Sequence, residues 1–346
     1  MKRLSLFPAV LLCALFSFAQ TNQMIWNNGH MQYAAPITHI DSLTFPDEVL
    51  DSDTLRFILP RATKQIEYVH DTTYVTKYYY IDANAVKGAF SVAEDKQVAF
   101  AKGNLQYIQS SKSWSFASNQ YAIIGTSNVT GGTTSHDDTS GDSKTGTALA
   151  DTIDLFGWST NNTTAPWGIS TSLDNSNYSG SFVDWGTNIG DSKTWRILSR
   201  DEWTYLFQTR TNANSKYGVA RITLNEDGSQ YVNGLVIIPD IWTSPAGITF
   251  KSGNADESST LSYADYQTFT LSQWQQLEQA GAVFLPASGS RHGTEVNGVQ
   301  LNGYYWSSTI YNTNTAYFLK FSSAELDPQN NINRYYGQSV RLVQDL

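Results

Sequence analysis

Apolar and polar positions along this chain fall into two textures. Beyond Ala89 the apolar residues come in short clusters set among Gly, Ser, Thr and Asn, and nine of the ten Trp lie there. Segments 90–100, 104–107 and 113–116 read as strands. Leu235-Val236-Ile237-Ile238-Pro239 and Ala282-Val283-Phe284-Leu285-Pro286-Ala287 are continuous apolar runs, the mark of buried strands. Asp154-Leu155-Phe156-Gly157-Trp158 and Ala165-Pro166-Trp167-Gly168 set aromatics beside Gly, as tight turns laid on a core do.

Two stretches switch to helical spacing. In 195–207, Ser199 and Glu202 form a Ser-x-x-Glu capping box, and Trp203, Leu206 and Phe207 follow on one face. In 270–279, Thr270 and Gln273 form a second box, Trp274 and Leu277 supply the apolar stripe, and Gly281 suits the C-terminal cap. The final segment, 301–346, carries Leu301-Asn302-Gly303-Tyr304-Tyr305-Trp306-Ser307-Ser308-Thr309 at one end and Gly337-Gln338-Ser339-Val340-Arg341-Leu342-Val343 at the other. Between these strand-like signatures lie Asn- and Tyr-rich stretches, 310–315 and 330–336, expected as loops. Arg341, in an apolar strand, needs a buried carboxylate or carbonyls around it.

Before Ala89 the texture is thinner. Residues 1–19 read as a secretory signal peptide: Lys2 and Arg3 precede an apolar run too short to span a bilayer, and Ser17-Phe18-Ala19 fits the cleavage site. A lipoprotein signal using Cys13 is the rival, disfavoured by Leu12 before it. Residues 20–46 form a small β segment, with a hairpin turning at Asn28-Gly29 and a strand at 40–45. Residues 47–88 read as an extended linker or stalk, whose 69–80 run offers a strand for self-association. The Gly/Thr/Ser/Asp stretch 127–146 is expected as an exposed loop.

Composition narrows the chemistry. The net charge of −9 and the lack of Lys/Arg clusters argue against nucleic acid or an anionic membrane as partner. Cys13 is the only cysteine and falls in the leader, so the mature chain holds no disulfide, thiolate metal site or cysteine nucleophile. His30, His39, His70, His136 and His292 lack metal-ligand spacing. His292, in Gly289-Ser290-Arg291-His292-Gly293, reads first as a surface turn and second as a loop ligand. Asp137, Asp138 and Asp142 leave a structural calcium open, and no other cofactor is expected.

Trp195-Arg196-Ile197-Leu198-Ser199-Arg200-Asp201-Glu202-Trp203 resembles the signature of the sulfatase-modifying, formylglycine-generating-enzyme-like branch of the C-type lectin fold. Tyr305-Trp306-Ser307-Ser308-Thr309 and Gly337-x-Ser339-Val340-Arg341-Leu342-Val343 look like the closing motifs of the Fibrobacter major paralogous domain. The resemblance, over about 90–346, implies an α+β, C-type-lectin-like fold for 89–346, mostly short β-strands with two helices. Trp195, Glu202, Trp203, Trp306, Gly337 and Arg341 would be its framework. The enzymatic branch works through cysteines, and its activity is not expected here. Motifs of calcium-dependent sugar binding are missing, with Asp327-Pro328-Gln329-Asn330 a loose echo.

A narrower resemblance is to variable proteins of diversity-generating retroelements, whose last segment is diversified at adenine-containing codons, often those of Asn. Asn312, Asn314, Asn330, Asn331, Asn333, Tyr335 and Tyr336 lie in the matching place. General Asn richness, as at Asn161, Asn162, Asn175 and Asn177, is the competing explanation. The 40–45 segment and the Asp41-Ser42-Leu43, Asp53-Thr54-Leu55 and Asp151-Thr152-Ile153 triplets resemble features of secreted Bacteroidetes proteins, the triplets matching an O-glycosylation sequon.

The expectation is an exported, non-enzymatic, adhesin-like protein at the cell surface, outside the cell or in the periplasm of a Gram-negative bacterium. A protein or glycan ligand would dock on Ile310, Tyr311, Asn312, Asn314, Asn330, Asn331, Asn333, Tyr335 and Tyr336, because Tyr and Asn give contact area and adaptable hydrogen bonds at low entropic cost. A structural adhesin or pilus-like subunit, and a hydrolase or transferase with a carboxylate site, stay open.

Overall fold

A computed structural model describes residues 23–27, 30–34, 62–68, 74–125, 151–190, 195–253 and 262–346. The expected leader, the 40–45 strand and the 127–146 loop lie outside them. The chain divides into two units, 1–81 and 82–346.

In the first unit, β1 (Gln23–Asn27) pairs antiparallel with β2 (His30–Ala34), and the Asn27–His30 register leaves two residues to join them, as the Asn-Gly pair suggests. Then β3 (Ala62–Tyr68) pairs antiparallel with β4 (Tyr74–Tyr80). The stretch expected as an extended stalk therefore contains two paired strands. Each satisfies the other's backbone groups, which a lone strand would leave to solvent or a partner.

The second unit opens at Asp82, seven residues before the expected border at 89. The earlier start has a physical cause: Ala85 and Val86 are buried, and the Val86 N–H donates to the Phe100 carbonyl at 2.7 Å. Its strands are β5 (Phe90–Ala93), β6 (Lys96–Phe100), β7 (Leu105–Ile108), β8 (Ser113–Phe116), β9 (Thr152–Ile153) and β10 (Arg196–Ile197). Helix α1 (Arg200–Thr204) continues as a wider turn over Tyr205–Thr209. Next come β11 (Tyr217–Thr223), β12 (Tyr231–Ile237), α2 (Tyr263–Tyr266), β13 (Thr268–Thr270), α3 (Leu271–Gln279) and β14 (Val283–Pro286). The chain ends through β15 (Ser288–His292), β16 (Glu295–Val299), β17 (Gly303–Ile310), β18 (Thr315–Phe321), β19 (Leu326–Asn333) and β20 (Leu342–Asp345).

The class is mixed α+β, with short strands in small sheets ordered β10-β20-β6-β5, β13-β11-β12-β14, β17-β18-β19 and β8-β7-β9, and the pair β15-β16 beside them. Both expected helices form and both capping boxes close, Ser199 with Glu202 and Thr270 with Gln273. The described residues add a third short helix, α2, capped by Ser262 and Asp265. β20 lies between β6 and β10, so the end of the chain is sealed against the start of the unit. Burial is thorough here: Phe90, Val98, Phe100, Trp203, Leu235, Leu285, Tyr305 and Val343 share one core. Ile222, Val236, Trp274, Leu277 and Phe284 lie in a second.

The framework residues hold these layers together through backbone carbonyls. Trp306 Nε1 donates to the Phe156 carbonyl at 2.6 Å, Trp158 Nε1 to the Ser307 carbonyl at 2.9 Å and Trp203 Nε1 to the Trp306 carbonyl at 3.4 Å. Each indole thus adds a directional bond to a large apolar contact. Gly337 faces Arg291 across a two-bond bridge, and a Cβ there would meet the Arg291 side chain at 2.8 Å. Trp195 packs edge-on against Phe116 at 4.9 Å.

Arg341 sits one residue before β20 rather than inside a strand. It is fully buried and donates to the carbonyls of Ala101 and Phe284, both at 2.9 Å, and to Asn104 Oδ1 at 3.0 Å. Carbonyls, not a carboxylate, thus satisfy the guanidinium, and burial pushes it down to about 10.

Candidate recognition surface

β17 and β18 form a long hairpin that buries Trp306, Ala316 and Phe318 on one face and Tyr305, Leu319 and Phe321 on the other. Its tip, 311–314, projects past the last paired residues. Asn312 stabilises that tip: its Oδ1 accepts from the backbone N–H of Asn314 at 2.8 Å and of Thr315 at 2.9 Å. This is the Asx geometry that makes Asn a turn residue. Ile310 and Tyr311 are left 49% and 52% exposed, which is unusual for side chains of that size in this unit. The Tyr311 ring meets Tyr317 edge-on at 5.2 Å, and the Arg200 guanidinium lies 4.9 Å above Tyr317.

The second expected loop is only partly a loop. Asn330, Asn331 and Asn333 belong to β19, paired with Phe318, Tyr317 and Thr315 of β18. The correction follows from pairing: an Asn-rich strand of low intrinsic propensity is held by the apolar strand beside it. Pro328, in the same strand, sits on the sheet's outer edge, where a missing N–H is tolerated. Tyr335 and Tyr336 then turn out of the strand and stack on each other at 5.1 Å.

The two expected stretches do come together. The Arg334 N–H donates to the Asn314 carbonyl at 2.9 Å, and Arg334 Nη2 to the Asn312 carbonyl at 2.7 Å. Among the nine expected contact residues the structure separates two kinds. Asn312, Asn330 (to Asp327, 3.0 Å) and Asn333 (to the Tyr335 hydroxyl, 3.1 Å) bond internally. Ile310, Tyr311, Asn314 and Asn331 are exposed, and Tyr335 and Tyr336 are half-buried.

Further residues join the surface from elsewhere in the chain. Asn175, in the one-turn helix Asn175–Tyr178 capped by Asp174, donates to Asn333 Oδ1 at 3.1 Å. The His292 ring lies 4.8 Å from Tyr336 and 5.7 Å from Tyr335. His292 is thus at the end of β15 against aromatic rings, more than a surface turn. Its place beside the Tyr pair depends on the bridge between Arg291 and Gly337, a pairing no local signal announces.

The electrostatics are quiet. Within 310–317 and 329–336 the one charged residue is Arg334, which is buried over the Trp158 ring at 4.7 Å, its charge disfavoured by burial. Burial and the neighbouring Tyr335 push the Tyr336 phenol up, so it stays a neutral hydroxyl at physiological pH. No metal-ligating group of three or more His, Cys, Asp or Glu occurs among the described residues. Asp137, Asp138 and Asp142 lie outside them. Thr152, the acceptor of one sequon-like triplet, is buried in β9 and paired with Ile108.

Residues 256–343 match a family described as a domain of unknown function, DUF8237. The match spans α2 to β20 and so takes in Trp306, Arg341 and the whole hairpin surface, but not the Trp195–Trp203 motif. No curated protein and no solved structure matches the chain.

Proposed function

We propose that this chain is an exported, non-catalytic ligand-binding protein, adhesin-like in its use, whose C-terminal surface recognises a protein or glycan. Its described unit would be a C-type-lectin-like domain of the kind that the Trp195–Trp203 and Tyr305–Thr309 motifs resemble. The observation that carries the reading is a division of labour within 301–346. Trp306, Gly337 and Arg341 are buried with their bonds directed into the fold, while Ile310, Tyr311, Asn314 and Asn331 between them are exposed and bracketed by half-buried Tyr rings. Large exposed apolar side chains carry a desolvation gain that only a partner can collect. Amides and hydroxyls around them supply directional bonds without a charged field. Diversification of this segment would fit such a surface, because the frame holds the fold while Asn314 and Asn331 vary.

The test replaces Tyr311, Tyr335 and Tyr336 together by Ala and pans a displayed random-peptide library and a neutral glycan array against both proteins. The reading expects ligands of the parent chain to be lost from the variant, which keeps its native circular dichroism. Ligands retained undiminished would place recognition elsewhere.

A further inference from the structure

Residues 311–314, the tip of the β17–β18 hairpin, hold their own turn together. Asn312 Oδ1 accepts the Asn314 and Thr315 N–H groups, and the Tyr311 and Asn312 N–H groups both donate to the Thr315 carbonyl. Among the described residues, the hydrogen bonds that tie this tip to anything beyond the hairpin both come from Arg334. Its N–H donates to the Asn314 carbonyl at 2.9 Å, and its Nη2 to the Asn312 carbonyl at 2.7 Å.

The same guanidinium reaches a second segment. Arg334 Nη1 donates to the Tyr178 carbonyl at 3.2 Å, at the end of the one-turn helix Asn175–Tyr178. Asp174 closes that turn, its Oδ1 accepting the Ser176 N–H at 2.8 Å. The tip and the turn are far apart in sequence, and they meet on one side chain.

Three features make that junction stiff. Arg334 is anchored on a buried residue: the Trp158 N–H donates to its carbonyl at 2.7 Å, and the guanidinium lies over the Trp158 ring. The guanidinium is planar, so Nη1 and Nη2 keep a fixed separation and a shift of one acceptor tilts the other bond. Its Nε has no hydrogen-bond partner, so the Asn312 and Tyr178 carbonyls are what satisfies this buried side chain. Losing one of them leaves a buried cation poorly paired, which favours breaking both bonds together.

We propose that the hairpin tip 311–314 and the 174–178 turn loosen and firm as one unit, coupled through Arg334 as positioning residue. The coupling belongs to the fold, and its use in binding rests on the recognition reading above. A ligand that orders the segment beside Tyr311 then lowers the ordering cost at Asn175, and the reverse, with no change of structure between them.

Exchange of backbone amide hydrogens in the full chain, followed by NMR, tests this without any ligand. Asp174→Ala removes the cap of the turn, and the bonds of Asp174 stay within 172–177. It should speed exchange at Ser176 and, through Arg334, at Asn314 and Thr315 by about threefold or more, while Leu319 in β18 keeps its rate. In an Arg334→Lys background the tip should already exchange faster, and Asp174→Ala should add nothing there. The reverse experiment leaves Arg334 in place, so a folding failure of its variant does not hide the answer: Asn312→Ala should speed exchange at Ser176 and Ser179. Either response missing overturns the proposal, because coupling between two segments is reciprocal. Leu319 speeding equally would mean global unfolding and overturns it as well. Increments that persist in Arg334→Lys assign the coupling to another route, such as Asn175 to Asn333, and overturn the part given to Arg334. A failed search for ligands leaves these rates standing, and unchanged rates leave recognition at Tyr311 standing.

Discussion

Arg196 and Glu202 face each other across the start of α1 in a two-pronged contact, Nη1 and Nη2 each 2.8 Å from a carboxylate oxygen. The same carboxylate accepts the Ser199 N–H at 2.8 Å and the Lys96 ammonium at 3.0 Å, while Arg196 also reaches Asp345. A single side chain thereby ties β10, the helix start, β6 and, through Arg196, the last strand. This accounts physically for an Arg and a Glu at that spacing between Trp195 and Trp203. The bonds of the pattern tie one element of the fold to the next.

Glu202→Gln should therefore cost about 2 kcal/mol, between an exposed and a fully buried pair, with a fall in Tm of roughly 5 °C. The cost should depend on pH. Burial alone would raise the Glu202 carboxyl, but Arg196, the Ser199 N–H and Lys96 together hold it below the usual range. A depressed carboxylate contributes stability above its unfolded value, about 4.3, and loses it as pH falls through the folded value. Denaturant titrations at neutral pH and below pH 4 should show the gap between parent and variant shrinking on the acid side.

Arg341→Lys should destabilise by about 3 kcal/mol or more, measured by urea unfolding. Lys cannot reach the Ala101 and Phe284 carbonyls and Asn104 at once, and each buried acceptor left alone costs about 1–3 kcal/mol. A neutral result would mean the carbonyl cage relaxes around an ammonium.

Gly168→Ala should prevent native folding of this unit. Gly168 has φ +68°, and a Cβ there would lie 1.7 Å from the Gly157 carbonyl oxygen, whose residue in turn packs under Tyr178. Expression with loss of the near-ultraviolet Trp signal is the expected outcome. A native spectrum would show that the Trp158 and Trp167 turns can separate without harm.

Local signals were legible in the sequence and pairings were not. Ser199 and Glu202, or Thr270 and Gln273, lie within one helical turn of each other, so the bond they make is written in their spacing. The burial of Trp203, Leu206 and Phe207 followed from helical period in the same way. By contrast Leu326–Asn333 has no alternation and, Ile332 apart, no strand-forming residues, and it becomes a strand because β18 offers it a partner. The surface suffered likewise: Tyr311 and Tyr335 were visible as an aromatic, amide-rich segment, while Asn175 and His292 reach it only through the fold. Arg334 carries no local signal, because its bonds to Asn312 and Tyr178 join three regions of the chain.

The most direct test of recognition at this surface is calorimetric titration of a peptide selected on the parent chain into the parent and into Tyr311→Ala. Tyr311 is about half exposed and its ring meets Tyr317 alone among the described aromatics, so its removal should change stability by less than about 0.5 kcal/mol. The expected result is an affinity at least about tenfold weaker, near 1.4 kcal/mol, at an unchanged Tm. Equal affinity for the two proteins would contradict recognition at the hairpin tip, and a large fall in Tm would show that Tyr311 belongs to the frame.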